Sequence, residues 1–334
     1  MFALSIALLQ GCAPGGARTY APHDGGIAPS GASTPPAPGP QPGAEPCGNK
    51  IASAFPLDGA DDVYYRTDVQ LQLDVADASA QLVVTDDSGR EILGSSTVQG
   101  ALVRWTGEPL EPETLYQVTL HWSCPPVELS WSTTETGGLV EVPIVDRVYE
   151  LDLRQGRWLK PRGIEGLLGS WLRPLLVSAT ESDGILTLAA ALTELDGSQD
   201  RCAETLELPP AAFLDPYFEL DQGALALSLD GLVVELSGLT LSGAFSPGAE
   251  RIEGLQLQGL VDTRSMAELL LPGGPETLVC DLFAGLGAPC VACPGGAGSY
   301  CLEAQLDDLR LPGRPSTHLE PRSAEQIAAD PSCG

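Results

Sequence analysis

The sequence contains few aromatic residues, few histidines and almost no lysine. Aromatics make up 5% of the 334 residues, so its hydrophobic cores must be built from Leu, Val and Ala. None of the three histidines, His23, His121 and His318, falls in a pattern that indicates a Ser or Cys hydrolase triad. With Lys50 and Lys160 as the two lysines and a formal net charge of -28, the chain lacks the cationic groups that bind nucleic acid or anionic lipid headgroups.

Long apolar runs are also scarce. The N-terminal run from Met1 to Leu9 is far shorter than the roughly 20 residues that cross a bilayer, and no later segment is a long uncharged apolar run. We therefore expect the body of the protein to be soluble. At 43% hydrophobic residues, the chain has enough apolar side chains for two domains of ordinary size.

A cysteine closes the N-terminal apolar run. The sequence Leu8-Leu9-Gln10-Gly11-Cys12 resembles a bacterial lipoprotein export signal, in which the cysteine is lipidated and becomes the first residue of the mature protein. The resemblance implies a signal over residues 1–12, a lipid on Cys12 and a place in the bacterial cell envelope. Ala13 favours the outer membrane, on its periplasmic face or at the cell surface. Because the run has no Lys or Arg, two alternatives stay open: the true start lies upstream of Met1, or the run is an ordinary apolar N-terminus.

Residues 13–46 are rich in Pro and Gly and poor in apolar side chains. Such a composition predicts an extended or disordered tether. In the polyproline conformation the tether spans at most on the order of 100 Å. It would hold the following domain away from the membrane.

Eight cysteines remain when Cys12 is set aside, and an even number in an exported chain predicts disulfides. Cys47 and Cys124 are the two in the first half of the chain, and we infer that they pair. The pairing of the other six is left open by the sequence. These six are Cys202, Cys280, Cys290, Cys293, Cys301 and Cys333.

Period-two alternation begins after Ile51 and is clearest from Asp68 to Val75, which predicts a half-buried antiparallel strand. The turn Asp86-Asp87-Ser88-Gly89 predicts a hairpin. Seven short strands over about 85 residues are typical of a β-sandwich. The other strands are predicted at 81–85, 91–95, 101–105, 115–122 and 127–133.

Three segments, at 56–63, 110–120 and 130–134, resemble the bacterial Ig-like domains of S-layer and other surface proteins. The resemblance covers residues 47–136 and implies an Ig-like sandwich that serves as a spacer or interaction module, without chemistry of its own. Tyr116 follows a Pro-x-Thr turn and matches the tyrosine corner of such sandwiches, a structural role.

Residues 139–334 predict a second, β-rich domain with a few short helices. Glycines separate its strand patterns and favour an antiparallel meander, a second sandwich or a partly open barrel, so the chain as a whole is mainly β. The spacing of apolar residues from Ile164 to Leu175 predicts an amphipathic helix that either covers the sheet or lines a cavity for an apolar ligand. Further helices are predicted after Ser265 and Ser323, each by a capping-box pattern, and from Thr277 to Gly285.

The segment 280–301 holds four cysteines. Disulfides that pin a Gly-rich loop are the favoured interpretation, because an exported protein meets an oxidising compartment. A tetrahedral zinc site and a redox-active Cys290-x-x-Cys293 pair are the two alternatives. The acidic groups at 58–62, 86–87 and 307–308 do not have EF-hand spacing and are interpreted as solvated turns. We predict no catalytic residue, metal ligand or cofactor.

These observations predict a non-enzymatic, membrane-anchored lipoprotein that acts as a structural or protein-interaction module and meets a protein partner in the cell envelope. One alternative is a carrier of a lipid or other apolar ligand in the second domain. A weaker alternative is a hydrolase that uses paired carboxylates, which are abundant in the sequence.

Overall fold

A computed structural model describes residues 47–162, 173–229, 232–296 and 298–333. The chain is mainly β, with 47% strand and 10% helix, which confirms the predicted fold class. The predictions for Cys12 and for the tether lie outside the described residues. Among the described helices, none is both long and apolar enough to cross a membrane.

The first eight strands form two four-stranded sheets, in the orders β1-β3-β6-β5 and β2-β8-β7-β4. Alternate residues of β3 and β7, such as Leu71 and Val118, are buried between the two sheets, as expected for a sandwich. The pairs are antiparallel except that β2 runs parallel to β8. The strands are Ile51–Phe55, Ala60–Val63, Val69–Leu73, Gln81–Asp86, Gly94–Gln99, Leu102–Gly107, Leu115–His121 and Val127–Thr133.

The predicted turn after β4 forms, but its partner strand is displaced. Gly89 donates its N–H to the carbonyl of Asp86 at 2.9 Å, and Thr85 forms a single bridge with Glu91. The next strand begins at Gly94 and belongs to the opposite sheet. The strand predicted at 91–95 is therefore wrong in its bounds, because the chain crosses between the sheets there.

The remaining strands form one ten-stranded antiparallel sheet in the order β10-β18-β17-β16-β15-β14-β12-β11-β9, with β13 paired to β12. The sheet is rolled, since Tyr149 of β9 forms a bridge with Gly313 just after β18. No described sheet closes into a barrel. The strands are Arg147–Leu151, Arg157–Lys160, Leu175–Ser182, Ile185–Leu192, Leu206–Glu207, Ala211–Leu214, Tyr217–Leu229, Leu232–Phe245, Arg251–Asp262 and Cys301–Pro312.

Several strands of this sheet differ from the sequence prediction. The patterns at 217–220 and 225–229 belong to one long strand, β15, because register shifts around Gly223 let it bend without ending. Strand β16 likewise joins two predicted strands across Gly238, where the pairing with β17 shifts. Most of the helix predicted from Ile164 to Leu175 lies outside the described residues, and Leu175 begins β11.

The described helices are short: α1 at Arg264–Leu270, α2 at Leu278–Gly285 and α3 at Ala324–Ala329. The predicted capping box of Ser323 and Gln326 is confirmed by both of its hydrogen bonds. The one predicted at Ser265 is wrong, since Ser265 lies inside α1 and Thr263 precedes the helix. The Thr263 hydroxyl donates instead to the carbonyl of Tyr300 at 2.7 Å.

The eight described cysteines form four disulfides. Cys47 bonds to Cys124 within the sandwich, in the pairing we inferred. One bridge ties the C-terminal segment to the loop after β12, and the other two lie within 280–301. These three are Cys202–Cys333, Cys280–Cys290 and Cys293–Cys301.

Residues from Cys47 to the C-terminus cluster as one compact unit, so the sandwich and the rolled sheet are packed together. Buried Glu253 of β17 accepts a hydrogen bond from the Thr134 hydroxyl at 2.7 Å and another from Arg251 at 2.6 Å. Arg310 of β18 is ion-paired with Asp62 of β2. These contacts hold one face of the sandwich against the rolled sheet.

Candidate functional site: an apolar cavity in the rolled sheet

The concave face of the rolled sheet encloses a cavity of about 230 Å³. Every described side chain that lines it is apolar. The lining residues are Leu151, Leu153, Trp158, Pro161, Leu175, Val177, Leu188, Ala190, Leu206, Leu208, Phe218, Val234, Leu236, Leu239, Leu241, Ile252, Leu255, Leu257, Val261, Met266, Phe283, Leu302, Ala304, Leu306 and Leu311.

Strand alternation explains why the lining is apolar. Leu302, Ala304 and Leu306 are spaced two residues apart on β18 and face the cavity together. Leu255 and Leu257 do the same on neighbouring β17. The residues between them point to the opposite face, so each strand contributes one apolar row to the wall.

Larger side chains line the cavity in two places. Val261 pairs with Leu302 at one end of the β17–β18 ladder, and there Met266 of α1 and Phe283 of α2 complete the lining. Phe218 lines the cavity and packs its ring 5.5 Å from the ring of Phe245 in the sheet core. Aromatic rings therefore define parts of a wall that is otherwise mostly leucine.

The polar atoms near the cavity are paired. Trp158 donates its indole N–H to the carbonyl of Leu153 at 3.2 Å. Tyr149, in the core beside Phe245, donates its hydroxyl to the carbonyl of Ala249 at 2.9 Å, and burial raises the pKa of this tyrosine. The described wall therefore offers contact to hydrocarbon and no hydrogen bond to a ligand.

The segment 280–301 lies beside this region but does not supply a chemical site in the structure. Its four sulfurs are all in disulfides, and Cys290 is bonded to Cys280 and not to Cys293. The zinc and redox interpretations both need free thiolates. The bridges instead fix α2, whose Phe283 is buried in a small cluster with Ala288 and Leu302.

The Tyr116 hydroxyl accepts a hydrogen bond from the Glu111 N–H at 2.7 Å. This is the bond back to the preceding turn that the tyrosine-corner interpretation requires. The ring is fully buried beside Trp131 in the sandwich core. Its place is structural and lies in the sandwich, away from the cavity.

The residues considered for hydrolysis are not assembled into a reactive group. Within the described chain, His121 and His318 make no side-chain hydrogen bond to a nucleophile. A polar cleft of about 940 Å³ lies where the sandwich meets β9 and β18, and it contains Asp62, Glu253 and two further acids. Asp62 is bound by Arg310 of β18, and Glu253 is bound by Arg251 and accepts a hydrogen bond from Thr134, so both carboxylates link the sandwich to the rolled sheet.

Some acidic residues interpreted as solvated turns have other roles. Asp62 is ion-paired with Arg310 across the modules, and Asp307 accepts two hydrogen bonds from Arg157, at 2.8 and 2.6 Å. Asp308 occupies a left-handed conformation with φ of 55° inside β18. These partners come from strands that are distant in the chain, so no sequence pattern indicates them.

Comparison with known proteins gives a distant structural match. No family model matches the chain, and no curated protein matches it. Domains 5-6 of the S-layer protein SbsC match with 12% identity and a TM-score of 0.22, over 64% of this chain and 89% of that chain. A likeness at that score supports no conclusion about fold or function.

Proposed function

We propose that this protein is a non-enzymatic binding protein of the bacterial cell envelope that carries a lipid or another apolar ligand in its rolled sheet. The observation that carries the proposal is the cavity, whose described lining is wholly apolar. Ligand sites are characteristically concave and mostly apolar. The Ig-like sandwich is then a rigid spacer that presents the sheet.

The free-energy cost of an empty apolar cavity favours a bound ligand. An apolar void destabilises a protein by about 24 cal/mol per Å³, so 230 Å³ left empty would cost on the order of 5 kcal/mol. That is comparable to the whole stability of many domains. A bound hydrocarbon chain would restore the lost contacts, and so binding and folding would stabilise each other.

The test is to purify the protein gently, extract it with organic solvent and identify released ligands by mass spectrometry. We expect an apolar ligand in a stoichiometric amount. Ala304→Phe would place a large ring in the cavity and should abolish recovery, whereas Ala212→Phe, at an exposed position of β14, should leave it unchanged. Ala190→Leu is a milder cavity-filling variant, in case Ala304→Phe does not fold.

Two outcomes would reject the carrier proposal. One is protein that contains no ligand and does not bind an added hydrophobic fluorophore, because its own side chains fill the space. The other is a ligand that is recovered equally from wild type and from both cavity-filling variants. In either case the structural or protein-interaction module with a protein partner becomes the better proposal.

The location is part of the same proposal. We infer that Cys12 is lipidated and that the protein is anchored to the outer membrane, on the periplasmic face or at the cell surface. Four disulfides support a compartment beyond the cytoplasm, where such bonds persist. Metabolic labelling with a fatty acid should mark wild type and a Ser5→Ala control but not Cys12→Ala. Equal labelling of the Cys12→Ala variant would disprove the anchor.

A further inference from the structure

The outer face of the rolled sheet, directly behind the cavity, carries a cluster of uncharged polar side chains. Alternation places Thr240 and Ser242 of β16, Gln256 and Gln258 of β17, and Gln305 of β18 on this face. Cross-strand pairing brings them together, because Gln258 lies opposite both Thr240 and Gln305, and Ser242 lies opposite Gln256. We call these five residues the amide face.

The amide face is open to solvent beside the sandwich. It forms the floor of a pocket of about 250 Å³, and the sandwich contributes Arg104 of β6 to the rim. Gln256 and Gln258 are exposed, while Thr240 and Gln305 are half-buried. Within the described chain these four side chains make no hydrogen bond to one another or to any neighbour. Their donors and acceptors are therefore available to a ligand.

Two of the charged groups at the rim, Arg104 and Asp307, already have ionic partners. Arg104 is ion-paired with Asp68, and Asp307 is bound by Arg157 at 2.6 Å. The ring of Tyr217 is covered on one face by the Arg66 guanidinium, 3.9 Å from its centroid. Glu219 of β15 lies opposite Ser242 on the same face and has no ionic partner in the described chain. Its carboxylate repels anions and can accept hydrogen bonds from ligand hydroxyl groups, as it does from the Tyr217 hydroxyl at 3.2 Å.

The chemistry of the floor selects the ligand class. A glutamine amide offers donors and an acceptor, and a threonine hydroxyl both donates and accepts. Ligand hydroxyl groups need both kinds of partner. Neighbouring strands repeat such groups at about 4.8 Å, which suits a chain with hydroxyls along its length. We propose that the amide face binds an uncharged saccharide.

A protein partner fits this surface less well. The buried centres of protein interfaces are enriched in aromatic residues, Met and Arg, and the amide face has none of these in its floor. Addition of a peptide strand needs a free sheet edge, whereas β16 and β17 each have a neighbour on both sides. This site is separate from the cavity and does not depend on the carrier proposal.

The test is calorimetric titration of the purified protein without residues 1–12. The ligands are neutral oligosaccharides of α-glucose, β-glucose and N-acetylglucosamine, and acidic polygalacturonate for comparison. We expect at least one neutral sugar to bind with a Kd below about 1 mM. Gln258→Ala should weaken that binding about fivefold or more, because it removes the central amide. Gln99→Ala is the matched control, an exposed glutamine on β5 of the sandwich, and should bind as wild type.

Three results would overturn the proposal. The first is no binding by any neutral sugar at about 10 mM, and the second is binding of polygalacturonate alone. The third is neutral-sugar binding that neither Gln258→Ala nor Gln305→Ala weakens, which would place the site elsewhere. Both variants lie on the solvent side of the sheet, and circular dichroism should show that they fold.

Discussion

The ring of Tyr64 packs directly on the α-carbon of Gly254, so that the loop after β2 touches the bulge in β17. Gly254 has φ of 58°, and a β-carbon there would overlap the tyrosine ring. Tyr64 is 5% exposed and also makes an edge-to-face contact with Tyr65, with centroids 4.9 Å apart.

Gly254→Ala should therefore destabilise the protein strongly. Gly238→Ala is the matched control, because Gly238 has the same φ of 58° but open space where a β-carbon would lie. We expect about 1 kcal/mol for the left-handed conformation in the control, and about 1–3 kcal/mol more at Gly254 for the overlap. Urea unfolding measures both. If both variants lost the same free energy of unfolding, the contact between Tyr64 and Gly254 would not stabilise the packing of the sandwich on the rolled sheet.

The tyrosine corner makes a second prediction. Tyr116→Phe removes the acceptor of the Glu111 N–H and should lower the free energy of unfolding by about 1–2 kcal/mol. Tyr300→Phe is the control, since the described chain gives its hydroxyl no hydrogen-bond partner. Thermal and urea unfolding compare the two. A Tyr116→Phe variant as stable as Tyr300→Phe would show that the corner is not needed here.

Asp308 provides a pH-dependent prediction. Burial raises the pKa of its carboxyl, and the charges of Asp307 and Asp62 add to the rise, while Arg310 and Arg157 oppose it. The folded protein thus holds this proton more tightly than the unfolded chain does, and ionisation at neutral pH destabilises the fold. Asp308→Asn removes that charge, and Asn tolerates the left-handed backbone.

We expect Asp308→Asn to be more stable than wild type at pH 7 and equal to it near pH 3, where the carboxyl is protonated in both states. The neighbouring Asp307→Asn should do the opposite at pH 7, because it breaks the pair with Arg157. Urea midpoints at the two pH values decide. A gain for Asp308→Asn that is equally large at pH 3 would trace to something other than its charge.

The disulfides should differ in their contributions. Cys202 and Cys333 are 131 residues apart, whereas Cys293 and Cys301 are 8 apart. Loop-closure entropy predicts about 5 kcal/mol for the long bridge and about 2.5 kcal/mol for the short one. Unfolding of the two double-serine variants tests this order. The reverse order would indicate that the C-terminal segment contributes little to the folded unit.

The sequence predicted the sandwich better than the rolled sheet, for physical reasons. Strand β8 was predicted at its observed bounds, 127–133, because its alternation is unbroken between clear turns. Strand β18 was missed because Asp307 and Asp308 break its apolar alternation, and Asp308 leaves the extended conformation. Hydrophobic periodicity is judged within one strand. It cannot predict a β-bulge, which depends on the pairing with a neighbouring strand.

The candidate site shows the same division. The amphipathic pattern from Ile164 to Leu175 raises the possibility of a cavity for an apolar ligand, and strand alternation alone separates the residues that line the cavity from the amide face. The curvature of the sheet could not be predicted from the sequence, because it depends on contacts between distant residues. Arg157 and Asp307, for example, are 150 residues apart. The contact of Gly254 with Tyr64 could not be predicted either, because close packing between distant segments produces no periodic pattern in the sequence.

Strand β18 is the last strand of the described chain, yet it lies between β10 and β17, and its Arg310 reaches Asp62, 248 residues away. Until that strand emerges, β10 and β17 each present an unpaired edge, and such edges readily recruit other chains. Completion of the sheet therefore waits for a strand that follows all of its neighbours in the chain. A chain truncated before Cys301 would keep both of these edges exposed and would be prone to aggregate.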